Sequence, residues 1–166
     1  VIFRIPIAKH RARPWRPRIW WRKTSFAWVV KFDESCRYDL NSEDQFDTNK
    51  LVGIGYLWHH HKNSARFGWR YWTDRKEIEL SAYCYVNGRR VIQHICFCEI
   101  GKEYMIMLNP TSICYHLHAY ERYSTTCLGM ATVAHSHNKK LQYQLGPFFG
   151  GQAKAPNEIK IELKKL

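Results

Sequence analysis

Between Ile78 and Val86 apolar and polar residues alternate without a break: Ile78, Leu80, Ala82, Cys84 and Val86 on one side, Glu79, Ser81, Tyr83 and Tyr85 on the other. A repeat of two is that of a β-strand with one face buried. Asn87-Gly88 follows at once. That pair suits a type I′ turn, whose two central residues both need positive φ, so a tight hairpin is expected there. The returning segment, Val91 to Ile100, is apolar on both faces apart from Gln93, His94 and Glu99, which predicts a place in the middle of a sheet.

The same pattern recurs along the chain, with almost no helical periodicity. Strands are expected at Phe26 to Phe32, Leu51 to Leu57, Arg66 to Trp72, Tyr104 to Leu108, Ile113 to Glu121, Ala131 to His135, Leu141 to Leu145 and Ile159 to Leu163. Gly101-Lys102 and Asn109-Pro110 supply turns between them. Nine or ten strands in one chain leave many edges to hide, and an antiparallel β-sandwich of jelly-roll type does so economically. The 166 residues suit one domain with a full core. Aromatic residues at 15% fit packed sheets and equally fit surfaces that bind sugars or proteins. The longest apolar run, Leu51 to Trp58, is too short to span a bilayer, and no secretory leader is expected. No membrane partner is therefore expected.

Charge divides the chain unevenly. Nine of the 26 Lys and Arg residues lie in the first 31 positions and the first acidic residue is Asp33, so that stretch carries +9 of the formal +12. Pro6, Pro14 and Pro17 exclude a central strand or a regular helix there. Residues 1–23 are thus expected to form an extended basic N-terminal arm, and residues 24–166 the sandwich domain. Arg11, Arg13, Trp15, Arg16, Arg18, Trp20, Trp21 and Arg22 are its candidate contacts. Trp anchors and Arg forks of this kind suit grooves on a partner protein. Interleaved Arg and Trp could also neutralise phosphates and stack on bases, but no recognised nucleic-acid module surrounds them.

The chemistry-bearing residues fall on the polar faces of the expected strands. Tyr83, Tyr85, Gln93, His116, His118, Gln142 and Gln144, with Arg66 and Arg70, offer rings to stack on sugars and amides and guanidiniums to bind hydroxyls and carboxylates. If catalytic, a Tyr and His pair could move a proton while Arg or Gln neutralises a uronate carboxylate, a β-elimination. Alternatively these residues only fill a second sheet face or meet a neighbouring subunit, and no catalytic residue is assigned. His59-His60-His61 would splay to alternate faces in a strand and cannot share one ion without a bend. Cys96-Phe-Cys98 inside an apolar alternation reads as buried small hydrophobes, and the six cysteines are expected as reduced thiols. No metal or cofactor is expected.

Three stretches carry a family resemblance: Lys50-Leu-Val-Gly-Ile-Gly-Tyr56, His59-His-His-Lys-Asn-Ser-Ala-Arg-Phe-Gly-Trp-Arg70 and Ala82-Tyr-Cys-Tyr-Val-Asn-Gly88. They resemble a family of proteins of Bacteroidetes phages, crAss-like phages included, whose motifs carry no assigned chemistry. The closing Gly146-Pro-Phe-Phe-Gly-Gly-Gln152 with Ala155-Pro156 is similar to the end of that family and of concanavalin-like jelly rolls. The resemblance covers about residues 33–163. It implies a phage-encoded jelly roll made in the host cytoplasm and carried in the virion, as a structural or decorating protein whose arm docks on neighbouring subunits, with a surface glycan as a further partner. The alternatives are a polysaccharide lyase or carbohydrate-binding module, and nucleic-acid binding through the arm. Some concanavalin-like lyases use Gln-x-His on a central strand; here Gln93 and His94 are adjacent, which argues against carrying that catalysis over.

Overall fold

A computed structural model describes all residues, 1–166, and contains twelve strands. They are β1 Ile2–Ile5, β2 Ile19–Trp21, β3 Phe26–Phe32, β4 Asn49–Tyr56, β5 Ser64–Trp72, β6 Glu77–Val86, β7 Arg89–Cys98, β8 Glu103–Pro110, β9 Cys114–Glu121, β10 Cys127–Ala134, β11 Leu141–Leu145 and β12 Ile159–Lys165. Two short 3-10 turns, Glu34–Cys36 and Glu43–Phe46, lie in the polar stretch between β3 and β4. The strands form two six-stranded antiparallel sheets, ordered β1-β12-β3-β8-β9-β10 and β2-β11-β4-β5-β6-β7. This is an all-β sandwich of jelly-roll type. No helix is long and apolar enough to cross a membrane.

The inward residues of both sheets meet in one core. Trp28, Trp69, Tyr115, Phe26, Phe32, Phe67 and Phe149 are its largest fully buried side chains. Phe26 and Trp28 stack at 6.0 Å, and Trp69 meets Phe32, Tyr38 and Phe149. Much of the aromatic content is therefore committed to packing. Asn87 and Gly88 take φ of 50° and 83°, as the β6–β7 hairpin requires. All six cysteines are free thiols, and Cys36, Cys84, Cys96 and Cys98 are buried.

Two expectations need correction. First, residues 1–23 are not an arm separable from the sandwich. β1 pairs with β12 in one sheet and β2 with β11 in the other, so the basic segment supplies an edge strand to each. Ile5 is fully buried and Ala12 sits in the core. Prolines exclude central strands but not edge strands, and Pro6, Pro14 and Pro17 fall in the connection between the two edges. Second, β7 is an edge strand of its sheet, not a central one. A bulge at Ile95 breaks its alternation, so Ile95, Cys96 and Cys98 are all buried, while Ile92 on the outer side is 44% exposed. At Gly129 a Cβ would overlap the Ile95 carbonyl oxygen and lie 2.8 Å from its carbon. Close approach of β10 shelters the edge around Ile95, where pairing does not.

Candidate functional site

In β5 the residues Ala65, Phe67, Trp69 and Tyr71 face the core, which turns Arg66, Gly68, Arg70 and Trp72 outward. In β6 the inward set is Ile78, Leu80, Ala82 and Cys84, leaving Glu79, Ser81, Tyr83 and Tyr85 outward. Register places Arg66 opposite Tyr83, Ser64 opposite Tyr85 and Arg70 opposite Glu79. Arg66, Arg70, Tyr83 and Tyr85 therefore share one surface, the outer face of the second sheet.

That face is outward yet partly closed, with Arg66 only 8% and Tyr83 5% exposed. Two loops fold onto it. After β4 the backbone bends at Leu57 and Trp58, whose φ values are 49° and 63°. The bend carries His60 and His61 over the sheet: His60 Nδ1 lies 3.0 Å from the Tyr143 hydroxyl, and the His61 ring stands edge-on to Tyr85 at 5.2 Å. The second loop, 146–151, is pinned from below. Arg66 Nη2 donates to the Gly146 carbonyl and Lys50 Nζ to the Gly150 carbonyl, each at 2.6 Å. A side chain at Gly55 would enter the ring of Tyr143, so the bare backbone there lets the tyrosine lie across β4.

Lys50 was not among the residues that the sequence pattern singled out. Strict alternation with Val52, Ile54 and Tyr56 would turn it toward the core. A bulge between Lys50 and Gly53 shifts the register, pairs Lys50 with Gly68 and turns it outward. Its ammonium lies 5.1 Å from the Tyr83 ring centroid and 5.6 Å from that of Phe148.

The electrostatics are unbalanced. Lys50, Arg66, Arg90 and Arg11 make no ion pair, whereas Arg70 is spent on Glu79 at 2.6 Å. Burial, then the Arg66 charge, pulls the Lys50 amine down to about 8, with Arg90 adding to the effect and Asp47 opposing it. Burial also brings Arg66 down to about 10, and its Nε has no hydrogen-bond partner. His60 is lowered to about 4 by burial, then by His61, Arg66 and Arg11, so it is a neutral imidazole near pH 7. Tyr83 is raised by burial and by its hydrogen bond with Tyr85. A charged amine and guanidinium, short of counter-ions and set among tyrosine rings, suit an anion that also offers hydroxyls or an apolar face.

The other sequence-derived candidates do not join this surface. Gln142 is buried on the inner side, where its amide receives from Lys23 N–H and donates to Lys23 O, both at 2.9 Å, anchoring the chain after β2. Gln144 lies beside Ile54 on the same inner side. Gln93 takes the register of inward-facing Ala82 and meets solvent at the edge, while His94 turns outward to the Glu79 carboxylate at 3.0 Å. His116 and His118 project from β9 on the far side of the sandwich, where His116 bonds Cys114 and Thr132. Alternation marks a polar face but not the sheet that owns it. Of the N-terminal candidates, Arg11 borders the site through its bridge to Phe148, and Trp15 lies across Gly146. Trp20 packs edge-on against Phe26 at 5.0 Å. Arg13, Arg16, Arg18, Trp21 and Arg22 are exposed.

No protein-family model matches the chain. No curated protein matches it either. Among solved structures it is similar to the alginate lyase from Klebsiella pneumoniae, with a TM-score of 0.61 at 10% identity over 86% of this chain and 59% of that one. It is also similar to a functionally unknown protein from Saccharomyces cerevisiae, with a TM-score of 0.56 at 9% identity over 90% of this chain and 72% of that one. The chain thus spans about three fifths of the length of that lyase. At such identities the likeness shows a shared β-sandwich fold, and fold alone assigns no activity.

Proposed function

We propose that this chain is a carbohydrate-binding β-sandwich whose outer second-sheet face takes an acidic glycan. The observation that carries this reading is the set of unpaired cations, Lys50, Arg66 and Arg90, interleaved with Tyr83, Tyr85 and Tyr143. A uronate or sulfated sugar would supply the missing negative charge, and its ring faces would stack on tyrosine. Arg66 already braces loop 146–151, so it sets the field of the site, while exposed Arg90 and half-buried Lys50 and Tyr85 are the reachable groups. The test is calorimetric titration with oligouronates and with neutral oligosaccharides of equal length. Binding of the acidic series only, weakened about tenfold or more in Arg90→Gln and Tyr85→Ala, is expected. Equal binding of both series, or of neither, overturns the proposal. New ultraviolet absorbance from unsaturated uronates in the same mixtures would convert the reading from binding to β-elimination.

The resemblance to phage proteins supports placing this module on a phage particle as a structural or decorating subunit. Docking would then use the exposed edge of β2, where Trp21 is 67% exposed beside Arg22. Retention of the chain at stoichiometric abundance in salt-washed particles, read by mass spectrometry, is the expected result. Its presence only in lysate would overturn that placement.

A further inference from the structure

A cavity of about 780 Å³ lies on neither outer face. It opens between the sheets, beneath the connection that carries the basic segment from β1 to β2. Trp15 and Trp28 line its apolar part, and Arg16, Arg18, Lys164 and Lys165 line the rest, with no Asp or Glu side chain among them. Glu162, the acidic residue of β12 closest to it in sequence, is paired with Lys31. None of the four lining cations makes an ion pair.

Cation crowding favours an anion here. Burial, then the charges of Lys23 and Arg18, lowers the Lys165 pKa, and an anion at the mouth would relieve that repulsion.

We infer that this cavity is a second binding site, for a small amphipathic anion: an acyl or aryl body against Trp15 and Trp28, with its carboxylate among Arg16, Arg18 and Lys165. The volume falls within the range of sites for small organic ligands. The Arg-Pro-Trp-Arg-Pro-Arg run thereby gains a local role, with its indole turned to the cavity and its guanidiniums at the rim. This site is separate from the sugar-binding face and does not depend on it.

The test titrates the full chain with laurate, with naphthalene-2-carboxylate and with dodecyltrimethylammonium, all below micelle formation, following tryptophan fluorescence and heat. One equivalent of at least one carboxylate should bind, and the cation with the same tail should not. The double variant Arg16→Gln, Arg18→Gln changes only exposed side chains and should weaken carboxylate binding about tenfold or more. Trp15→Ala should weaken it too, whereas Tyr85→Ala, on the other face, should leave it unchanged. Equal uptake of carboxylate and ammonium, unsaturable uptake, no binding of either carboxylate, or an unaffected double variant would each overturn the inference. If Trp15→Ala fails to fold, the charge variant still decides.

Discussion

Replacing Lys50 with Met sets the needs of the fold against those of the ligand. Unfolded, the Lys50 amine keeps its proton up to about 10.5; folded, only up to about 8, first because it is buried and next because Arg66 is near. The folded state therefore binds this proton less tightly than the unfolded one. Below about pH 8 the ammonium costs the fold its full penalty, and that penalty fades as pH rises from 8 toward 10.5. A tenfold change in proton affinity is worth about 1.4 kcal/mol, which bounds the stability regained between about pH 7 and 9.5 at about 2 kcal/mol. The side chain is half-buried, and solvent screening brings the expectation to about 1 kcal/mol. Met also forfeits the bond to the Gly150 carbonyl, a largely constant offset that cancels when the two pH values are compared. Urea unfolding of both chains at each pH should thus show the wild type gaining about 1 kcal/mol on Lys50→Met as pH rises. Acidic-glycan affinity at pH 7 should fall about tenfold in the same variant. Parallel stability curves would refute the reading of Lys50 as a desolvated cation among cations.

Other outcomes follow from the packing and from solvent access. Gly129→Ala should cost about 3 kcal/mol in urea unfolding, since its methyl group would collide with the Ile95 backbone across the sheet junction, while Gly88→Ala, with open space around it, should cost about 1 kcal/mol for its positive φ. Ile5→Ala should cost about 2–4 kcal/mol, as for any buried aliphatic side chain; a change near zero would mean that the N-terminal segment is an appendage after all. An aromatic disulfide reagent should titrate Cys114 and Cys127 in the native protein, and Cys36, Cys84, Cys96 and Cys98 only after unfolding. Early reaction of more than two thiols, read from released thiolate, would contradict the buried placement.

Ten of the twelve strands were legible because each carries its own instruction: a period of two, or a short apolar run, bounded by turn residues. The two unexpected strands, β1 and β2, are short, lie among prolines and take their order from partners more than 100 residues away. The site divided along the same line. Arg66, Arg70, Tyr83 and Tyr85 sit on consecutive strands of one hairpin, so local alternation was enough to place them together. Gln142, Gln144, His116 and His118 follow equally regular alternation but belong to inner positions or to the opposite sheet. Lys50 escaped notice because a single bulge reverses the face it should occupy.

The sequence by itself thus determined that the chain is a β-sandwich, where most strands begin and end, and which side chains of each strand are polar. Those properties depend on neighbours one or two residues away. Sheet membership, the weaving of the basic segment into both edges and the meeting of Lys50, Arg66, Arg90 and the tyrosines were decided only by the tertiary structure. They depend on which distant strands pair and in what register, and one residue of slip or bulge sends a side chain to the opposite face.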